Sequence, residues 1–100
     1  MSKFKDYETE GRRLVILRIL SRRTQYTTNE YSLNDELVDA YAHRVSRDRL
    51  HSDLAWLEEQ SLVIVQTPRA GRIITLTSRG HDVATGLARV PGVSAPLPEA

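Results

Sequence analysis

Cysteine is absent from all 100 residues of the sequence. This absence excludes disulfide bonds, thiolate metal sites and cysteine nucleophiles, and it suits a protein of a reducing compartment. Charge of one sign is also scarce, because the net charge at pH 7 is only +1. Many nucleic-acid-binding proteins carry more positive charge than that, so nucleic-acid binding must be judged from where individual charges lie.

Long hydrophobic runs are missing as well. The most apolar stretch is LVILRIL at residues 14–20, which is far shorter than the ~20 residues of a membrane-spanning helix. The first residues, MSKFKD, lack the apolar centre of a signal peptide. We therefore expect a cytoplasmic protein that does not interact with membranes. With 40% hydrophobic and 27% charged residues, the chain fits one soluble globular domain with a modest core.

Patterns for catalysis and cofactor binding are also absent from the sequence. Its three histidines are scattered, and Asp48 with His51 would supply only two ligands, fewer than a zinc site uses. There is no phosphate-binding loop, dinucleotide fingerprint or nucleophile-elbow motif. We therefore expect no enzymatic activity, no cofactor, no metal and no small-molecule effector. Trp56 is interpreted as a packing residue, with a small-molecule pocket at a dimer interface as the alternative.

Apolar periodicity and capping residues predict four helices. These are expected to run from Thr9 or Glu10 to Arg23, from the N-cap Ser32 to about Ala42, from the N-cap Ser46 to Gln60, and from Thr77 or Ser78 to about Ala88. Residues 1–8 are predicted to form a flexible arm and residues 9–88 the folded domain. Residues 89–100, which contain three prolines and few charges, are predicted to form a disordered tail.

The first predicted helix is apolar on most of its circumference. All residues from 14 to 20 except Arg18 are aliphatic, whereas packing against one core needs a stripe of only about 100°. We therefore expect a homodimer that forms through the first and last helices, whose apolar faces exceed what one small core covers. The arginines of the first helix, among them Arg12 and Arg13, are interpreted as a solvated face.

Two strands are predicted after the third helix. Residues 62–67 and 72–76 are rich in β-branched and apolar side chains. The intervening PRAG at residues 68–71 predicts a tight turn, because proline fixes one backbone angle and glycine accepts a positive φ. The polar segment at residues 24–31 is expected to be a loop, with a short strand that pairs with this hairpin as the alternative.

Three segments around the hairpin carry a family likeness. The third helix ends as LAWLEEQSLV at residues 54–63, a basic hairpin tip follows, and LTSRG at residues 76–80 opens the last helix. Together these segments resemble the MarR-, PadR- and ArsR-like members of the winged helix-turn-helix superfamily of bacterial regulators. Ser61 departs from the pattern, since those families usually have glycine there. The whole chain also resembles small winged-helix proteins encoded by Mu-like phages and prophages.

The resemblance implies an α+β fold, namely a winged helix-turn-helix with a three-helix core, a two- or three-stranded β-hairpin wing and a C-terminal helix. It implies a transcriptional regulator that binds double-stranded DNA, with the third helix in the major groove and the hairpin on the adjacent backbone. Two copies would read a roughly palindromic site. The candidate DNA-binding residues are Arg44, Ser46, Arg47, Arg49, His51, Ser52, Arg69 and Arg72.

The charges of the third helix and of the hairpin favour different functions. Between residues 64 and 81 there are three arginines and no acid, a composition that favours phosphate contact. In contrast, Asp48 is predicted to face outward from the third helix, where a carboxylate repels phosphate. Arg47 and Arg49 could also pair with Asp48 and Asp53 instead of DNA. A protein–protein interaction module that has this fold without binding DNA is therefore the alternative function.

Overall fold

The computed structural model describes residues 3–96, which form an α+β fold. Its elements are α1 (Lys3–Ser21), β1 (Thr27–Asn29), α2 (Glu30–Tyr41), α3 (Arg47–Glu59), β2 (Val63–Gln66), β3 (Ile73–Leu76) and α4 (Ser78–Thr85), with a 3-10 turn at Thr24–Tyr26. The strands form one antiparallel sheet in the order β1-β3-β2. None of the helices within residues 3–96 is long and apolar enough to cross a membrane.

α1 lies at the centre of the hydrophobic core. Helices α2 and α4 and strand β3 all pack against it, so its aliphatic side chains are covered on several sides. The fully buried ones are Ile16, Leu17, Ile19 and Leu20. The apolar surplus that predicted a dimer contact is therefore covered within one chain, and α1 no longer argues for a homodimer.

Two helix starts differ from the sequence-based prediction. α1 begins at Lys3, so the predicted flexible arm at residues 1–8 is wrong from residue 3 onward; Asp6 in the first turn complements the helix dipole. The N-cap of α2 is Asn29, whose side chain accepts a hydrogen bond from the backbone N–H of Ser32 at 2.8 Å. Asparagine and serine are both good N-caps. Because β1 pairs with β3 up to Asn29, the helix begins directly after this residue, and Asn29 becomes the N-cap instead of Ser32.

α3 has the bounds that the sequence predicts. Ser46 is its N-cap, and the Ser46 Oγ accepts a hydrogen bond from the backbone N–H of Arg49 at 3.0 Å. The buried face of the helix includes Leu50, Leu54 and Leu57. Beyond the helix, Ser61 has a φ of +62°, a left-handed conformation that favours glycine.

The hairpin of β2 and β3 follows the prediction, and the short strand considered for residues 24–31 exists as β1. β2 and β1 pair with opposite sides of β3, so that Val65 of β2 lies opposite Ile74. β2 is therefore an edge strand of the sheet. The backbone N–H of Val65 donates to the Glu58 carboxylate at 2.8 Å, which ties α3 to this edge.

The segment after α4 is packed against the domain, so the predicted disordered tail is wrong for residues 89–96. Val90 and Val93 are buried, and the backbone N–H of Ser94 donates to the carbonyl of Glu10 at 3.2 Å. Two apolar side chains thus dock a segment whose proline content alone suggested disorder. The rest of the predicted tail, residues 97–100, lies outside the described residues.

Leu87 is the opposite case. The last helix was predicted to run to about Ala88, but α4 ends at Thr85, and Gly86 follows with a φ of +88°. Leu87 is consequently 81% exposed. A homodimer through the last helix stays a prediction, with Leu87 as its exposed apolar residue.

Candidate nucleic-acid interface

Glu30, the first residue of α2, lies where α2, α3 and the hairpin meet. Its side chain is only 3% exposed. Its Oε1 accepts a hydrogen bond from Arg47 Nε at 3.2 Å and lies 2.9 Å from His51 Nε2, while its Oε2 accepts the backbone N–H of Arg72 at 2.6 Å. The backbone N–H of Glu30 also donates to the carbonyl of Arg72 at 3.0 Å. One residue therefore joins the start of α3 to the base of the hairpin.

These hydrogen bonds lower the pKa of the Glu30 carboxyl from its ordinary 4.5 to about 2. The backbone N–H of Arg72 makes the largest contribution and His51 the next, while burial acts in the opposite direction and Arg47 lowers the pKa further. The hydrogen bonds outweigh burial because they favour the charged form directly. Glu30 is therefore a carboxylate throughout the neutral pH range.

Arg47 is held by Glu30 and Tyr31 but stays accessible. Its Nη2 donates to the Tyr31 hydroxyl at 2.7 Å, and its guanidinium carbon lies 5.1 Å from the centre of the Tyr31 ring. The Arg47 side chain is nevertheless 60% exposed. A guanidinium has five N–H donors, so these two hydrogen bonds leave others for an incoming anion.

His51 lies between Glu30 and Arg72. Its Nε2 is 2.9 Å from Glu30 Oε1 and 3.1 Å from Arg72 Nη1. A protonated Nε2 donates to the carboxylate, whereas an unprotonated Nε2 accepts from the guanidinium, so only one of the two bonds exists at a time. Within the described part of the chain, no group of three His, Asp or Glu side chains is arranged to hold a metal ion.

Gly71 lets the hairpin approach Glu30 closely. Its φ is +118°, and a Cβ at this position would lie 2.9 Å from Tyr31 Cε2 and 3.2 Å from Glu30 Oε2. Both the backbone conformation and the lack of space therefore require glycine. A side chain here would push the hairpin away from α2 and from the carboxylate that anchors Arg72.

No family model matches the sequence. The chain is 53% identical, over 95 residues that cover 95% of it and 97% of the relative, to the uncharacterized protein gp26 of Escherichia phage Mu. The chain belongs to the family of phage Mu gp26. It is also 42% identical over 77 residues, 76% of this chain and 74% of the relative, to an uncharacterized protein of Haemophilus influenzae.

In this member of the gp26 family, the eight residues predicted to bind DNA divide into two groups. Those that the structure brings together at Glu30 are Arg47, His51 and Arg72. Those that are exposed elsewhere are Arg44 in the turn before α3, the N-cap Ser46, Arg49 and Ser52 on α3, and Arg69 at the hairpin tip. Asp48, which was predicted to face outward, is exposed too. The junction at Glu30 therefore connects two elements whose other basic residues reach solvent.

Asp53 is a second buried acid in this gp26-family chain, at 2% exposure. Its Oδ2 accepts a hydrogen bond from Arg12 Nε at 2.5 Å, and its Oδ1 lies 3.7 Å from Arg13 Nε. The interpretation of Arg12 as part of a solvated face is therefore wrong, because α1 directs it onto α3. The alternative pairing of Arg47 with Asp48 or Asp53 is wrong as well, since Arg47 pairs with Glu30.

Trp56 is covered by two parts of the same chain. The guanidinium carbon of Arg13 lies 3.9 Å from the centre of the indole ring, and Arg13 Nη1 donates to the carbonyl of Gly92 at 3.1 Å. Gly92 itself is so close that a Cβ on it would lie 2.6 Å from Trp56 Cζ2. Trp56 is therefore a packing residue, and the C-terminal segment occupies the surface that the alternative pocket would need.

Proposed function

We propose that this protein is a winged-helix DNA-binding protein that acts in transcriptional control. The observation that carries the proposal is the joining of α3 to the hairpin by Glu30. α2 and α3 follow one another through a five-residue connection, residues 42–46, as in a helix-turn-helix. The hairpin then follows α3 directly, which is the element order of a winged helix.

α3 is the proposed recognition helix, and the hairpin is the proposed wing. Arg44, Arg47 and Arg49 lie around the N-terminal end of α3, which is the end that enters the major groove in helix-turn-helix proteins. Arg69 at the exposed hairpin tip would then neutralise a backbone phosphate beside the groove. Because Glu30 fixes the two elements to each other, both contacts would be made without a large rearrangement of the backbone.

A protein–protein interaction module is the second candidate function. Asp48 favours it, because this exposed carboxylate lies in the first turn of α3 and would face DNA phosphates. Glu30 also compensates part of the positive charge of Arg47. A partner with a basic patch would pair with Asp48, whereas DNA would tolerate it only opposite a base that donates, such as cytosine.

The test is duplex binding measured by fluorescence anisotropy over a range of salt concentrations, with a pool of random-sequence duplexes. The wild type should lose affinity steeply as salt rises, because bound arginines release condensed counterions. Changing Arg69 and Arg72 together to alanine should reduce the slope of log affinity against log salt by about 1–2 units.

A matched control removes two exposed arginines from outside the proposed interface, Arg22 and Arg89. The double variant Arg22→Ala/Arg89→Ala has the same net charge as the hairpin variant, so it should keep the wild-type salt slope. Equal salt slopes for the two double variants would show that binding depends on the net charge and not on the hairpin arginines. No retention of any duplex at low salt would reject DNA binding and leave the protein–protein module.

A further inference from the structure

A cavity between α1 and the start of α3 is lined mainly by arginine. Its volume is about 270 Å³, and its lining residues are Glu8, Thr9, Arg12, Arg44, Val45 and Arg49. Three arginines and one glutamate therefore line this space. A single water needs only about 10–15 Å³, so the cavity has room for a larger polyatomic ion.

Arg12 brings a buried charge to this cavity that Asp53 compensates on one side only. The residue is 5% exposed, and its Nε is bound by Asp53. Its Nη2 is buried and has no hydrogen-bond acceptor among the described residues, and the same holds for Arg13 Nε. Asp53 thus faces one buried and one partly buried arginine. A buried cation without full compensation is costly, and an anion in the adjoining cavity would supply the missing charge.

The surrounding groups respond to this excess of positive charge. The pKa of His43 is lowered by burial and by the charge of Arg12, with Glu8 acting in the opposite direction. The pKa of Arg13 is lowered by burial first, while Asp53 and Glu10 raise it and the charges of Arg12 and Arg49 lower it. The arginines of α1 and α3 are therefore close enough to repel one another.

We infer that the cavity formed by Arg12, Arg44 and Arg49 binds a phosphoryl group. Guanidinium groups match the oxygens of phosphate in charge and geometry, and the start of α3 adds the positive end of a helix dipole. The phosphoryl group belongs either to the backbone of bound DNA or to a small phosphorylated molecule. In the first case the inference rests on the proposed function; in the second case it does not.

The first experiment uses inorganic phosphate as the probe. Two-dimensional NMR of the ¹⁵N-labelled full chain, including the arginine Nε–Hε signals, is recorded while phosphate replaces chloride at constant ionic strength. Saturable shifts are expected at Thr9, Arg12, Val45 and Arg49. Shifts that stay linear, or that spread evenly over all exposed arginines, overturn the inference.

Variants make the phosphate titration specific. Arg44 and Arg49 are both exposed, so Arg44→Gln/Arg49→Gln should fold, whereas replacement of the buried Arg12 endangers folding. The double variant should bind phosphate at least tenfold more weakly than the wild type. The control Arg22→Gln/Arg89→Gln should bind it unchanged. Equal affinity in both double variants overturns the inference.

The second experiment separates the two sources of the phosphoryl group. Wild-type protein is mixed with duplex DNA, and phosphate is then titrated against sodium chloride of equal ionic strength. If phosphate displaces the DNA and chloride of equal ionic strength does not, the cavity binds a phosphate of the DNA backbone. Binding of phosphate without effect on DNA, or by a protein that retains no DNA, assigns it to a small phosphorylated molecule. Normal DNA binding with no phosphate response at the cavity overturns the inference and leaves the proposed function intact.

Discussion

Glu30 and Asp53 are two buried carboxylates with similar exposure and different surroundings. Asp53 is bound by Arg12 and Arg13, whose side chains are only 7% and 17% exposed. Glu30 is bound by Arg47, which is 60% exposed, by His51 at 22%, and by a backbone N–H. Asp53 thus fixes one helix to another inside the protein, whereas Glu30 orients groups that also reach solvent.

The partners of a buried acid, more than its own burial, decide what the acid does. A carboxylate whose cations are also buried contributes mainly to stability and to the position of those cations. A carboxylate whose cations are exposed sets their positions for an external partner. The two sites should therefore separate when stability and binding are measured on the same variants.

The largest expected effect is a loss of stability on Asp53→Asn. The substitution leaves the buried Arg12 and the partly buried Arg13 without the carboxylate that pairs with them, and breaking a buried ion pair costs about 3–5 kcal/mol. Urea unfolding followed by circular dichroism measures it. The control is Asp48→Asn on the same helix, at an exposed position. The assignment of Asp53 as a structural anchor fails if both variants unfold at the same urea concentration.

A smaller loss of stability is expected for Glu30→Gln. The variant keeps the size of the side chain and one acceptor oxygen, so it loses the negative charge but not every hydrogen bond, at a total of about 1.5–3 kcal/mol. Duplex affinity should fall in the fraction that stays folded, because Arg47 and the hairpin lose their common anchor. Removal of a negative charge alone would tighten binding instead, so tighter binding would show that Glu30 only weakens the positive field.

The stability of the protein in acid should report the charge of Glu30. Because the pKa of Glu30 is lowered from 4.5 to about 2 in the folded protein, the unfolded chain takes up its proton first as the pH falls. The stabilisation is present above pH 4.5 and is lost as the pH falls toward 2. The free energy of unfolding, measured at a series of pH values, should therefore fall less steeply below pH 4.5 for Glu30→Gln than for the wild type. The variant Glu59→Gln, at an exposed position, serves as control. The same pH dependence of the free energy of unfolding in wild type and Glu30→Gln would contradict the expectation.

The smallest effect is expected for Tyr31→Phe. This variant removes the hydroxyl that accepts from Arg47 Nη2 and keeps the aromatic ring against the guanidinium. Because both groups are exposed, the urea midpoint should stay within experimental error. A modest loss of duplex affinity with unchanged stability would place Tyr31 with Glu30 as a residue that orients Arg47. A clear loss of stability would show that the contact is structural.

Local features of the sequence predicted most of the fold. The cap at Ser46, the β-branched strands and the PRAG turn each act over a few residues, and each was assigned correctly. The predicted start of α1 at Thr9 or Glu10 and the predicted N-cap Ser32 of α2 were wrong, because several adjacent residues could begin a helix. The predicted disorder of residues 89–96 was wrong because proline content does not reveal the two valines that anchor this segment. Val90 and Val93 are both buried and lie three residues apart, and this spacing was the available signal for docking.

The candidate site could be predicted only in part. The basic residues of α3 and the hairpin were recognisable by type and position, but Glu30 was not, because it lies 42 residues from Arg72. An acid in the first turn of a helix ordinarily complements the dipole, so Glu30 had no distinguishing local pattern. The pairing of Arg12 with Asp53 spans 41 residues and was equally hidden. Contacts of this kind depend on how helices cross.

The hydrogen bond from Val65 to Glu58 bears on the solubility of the protein. An exposed edge strand presents free N–H and C=O groups on which a strand of another molecule can add, and this is a common route to aggregation. Here the carboxylate of α3 already occupies one of the N–H groups of β2, and an incoming strand would have to displace it. At Val65, the sheet edge formed by β2 is therefore less open to the addition of a strand from another molecule.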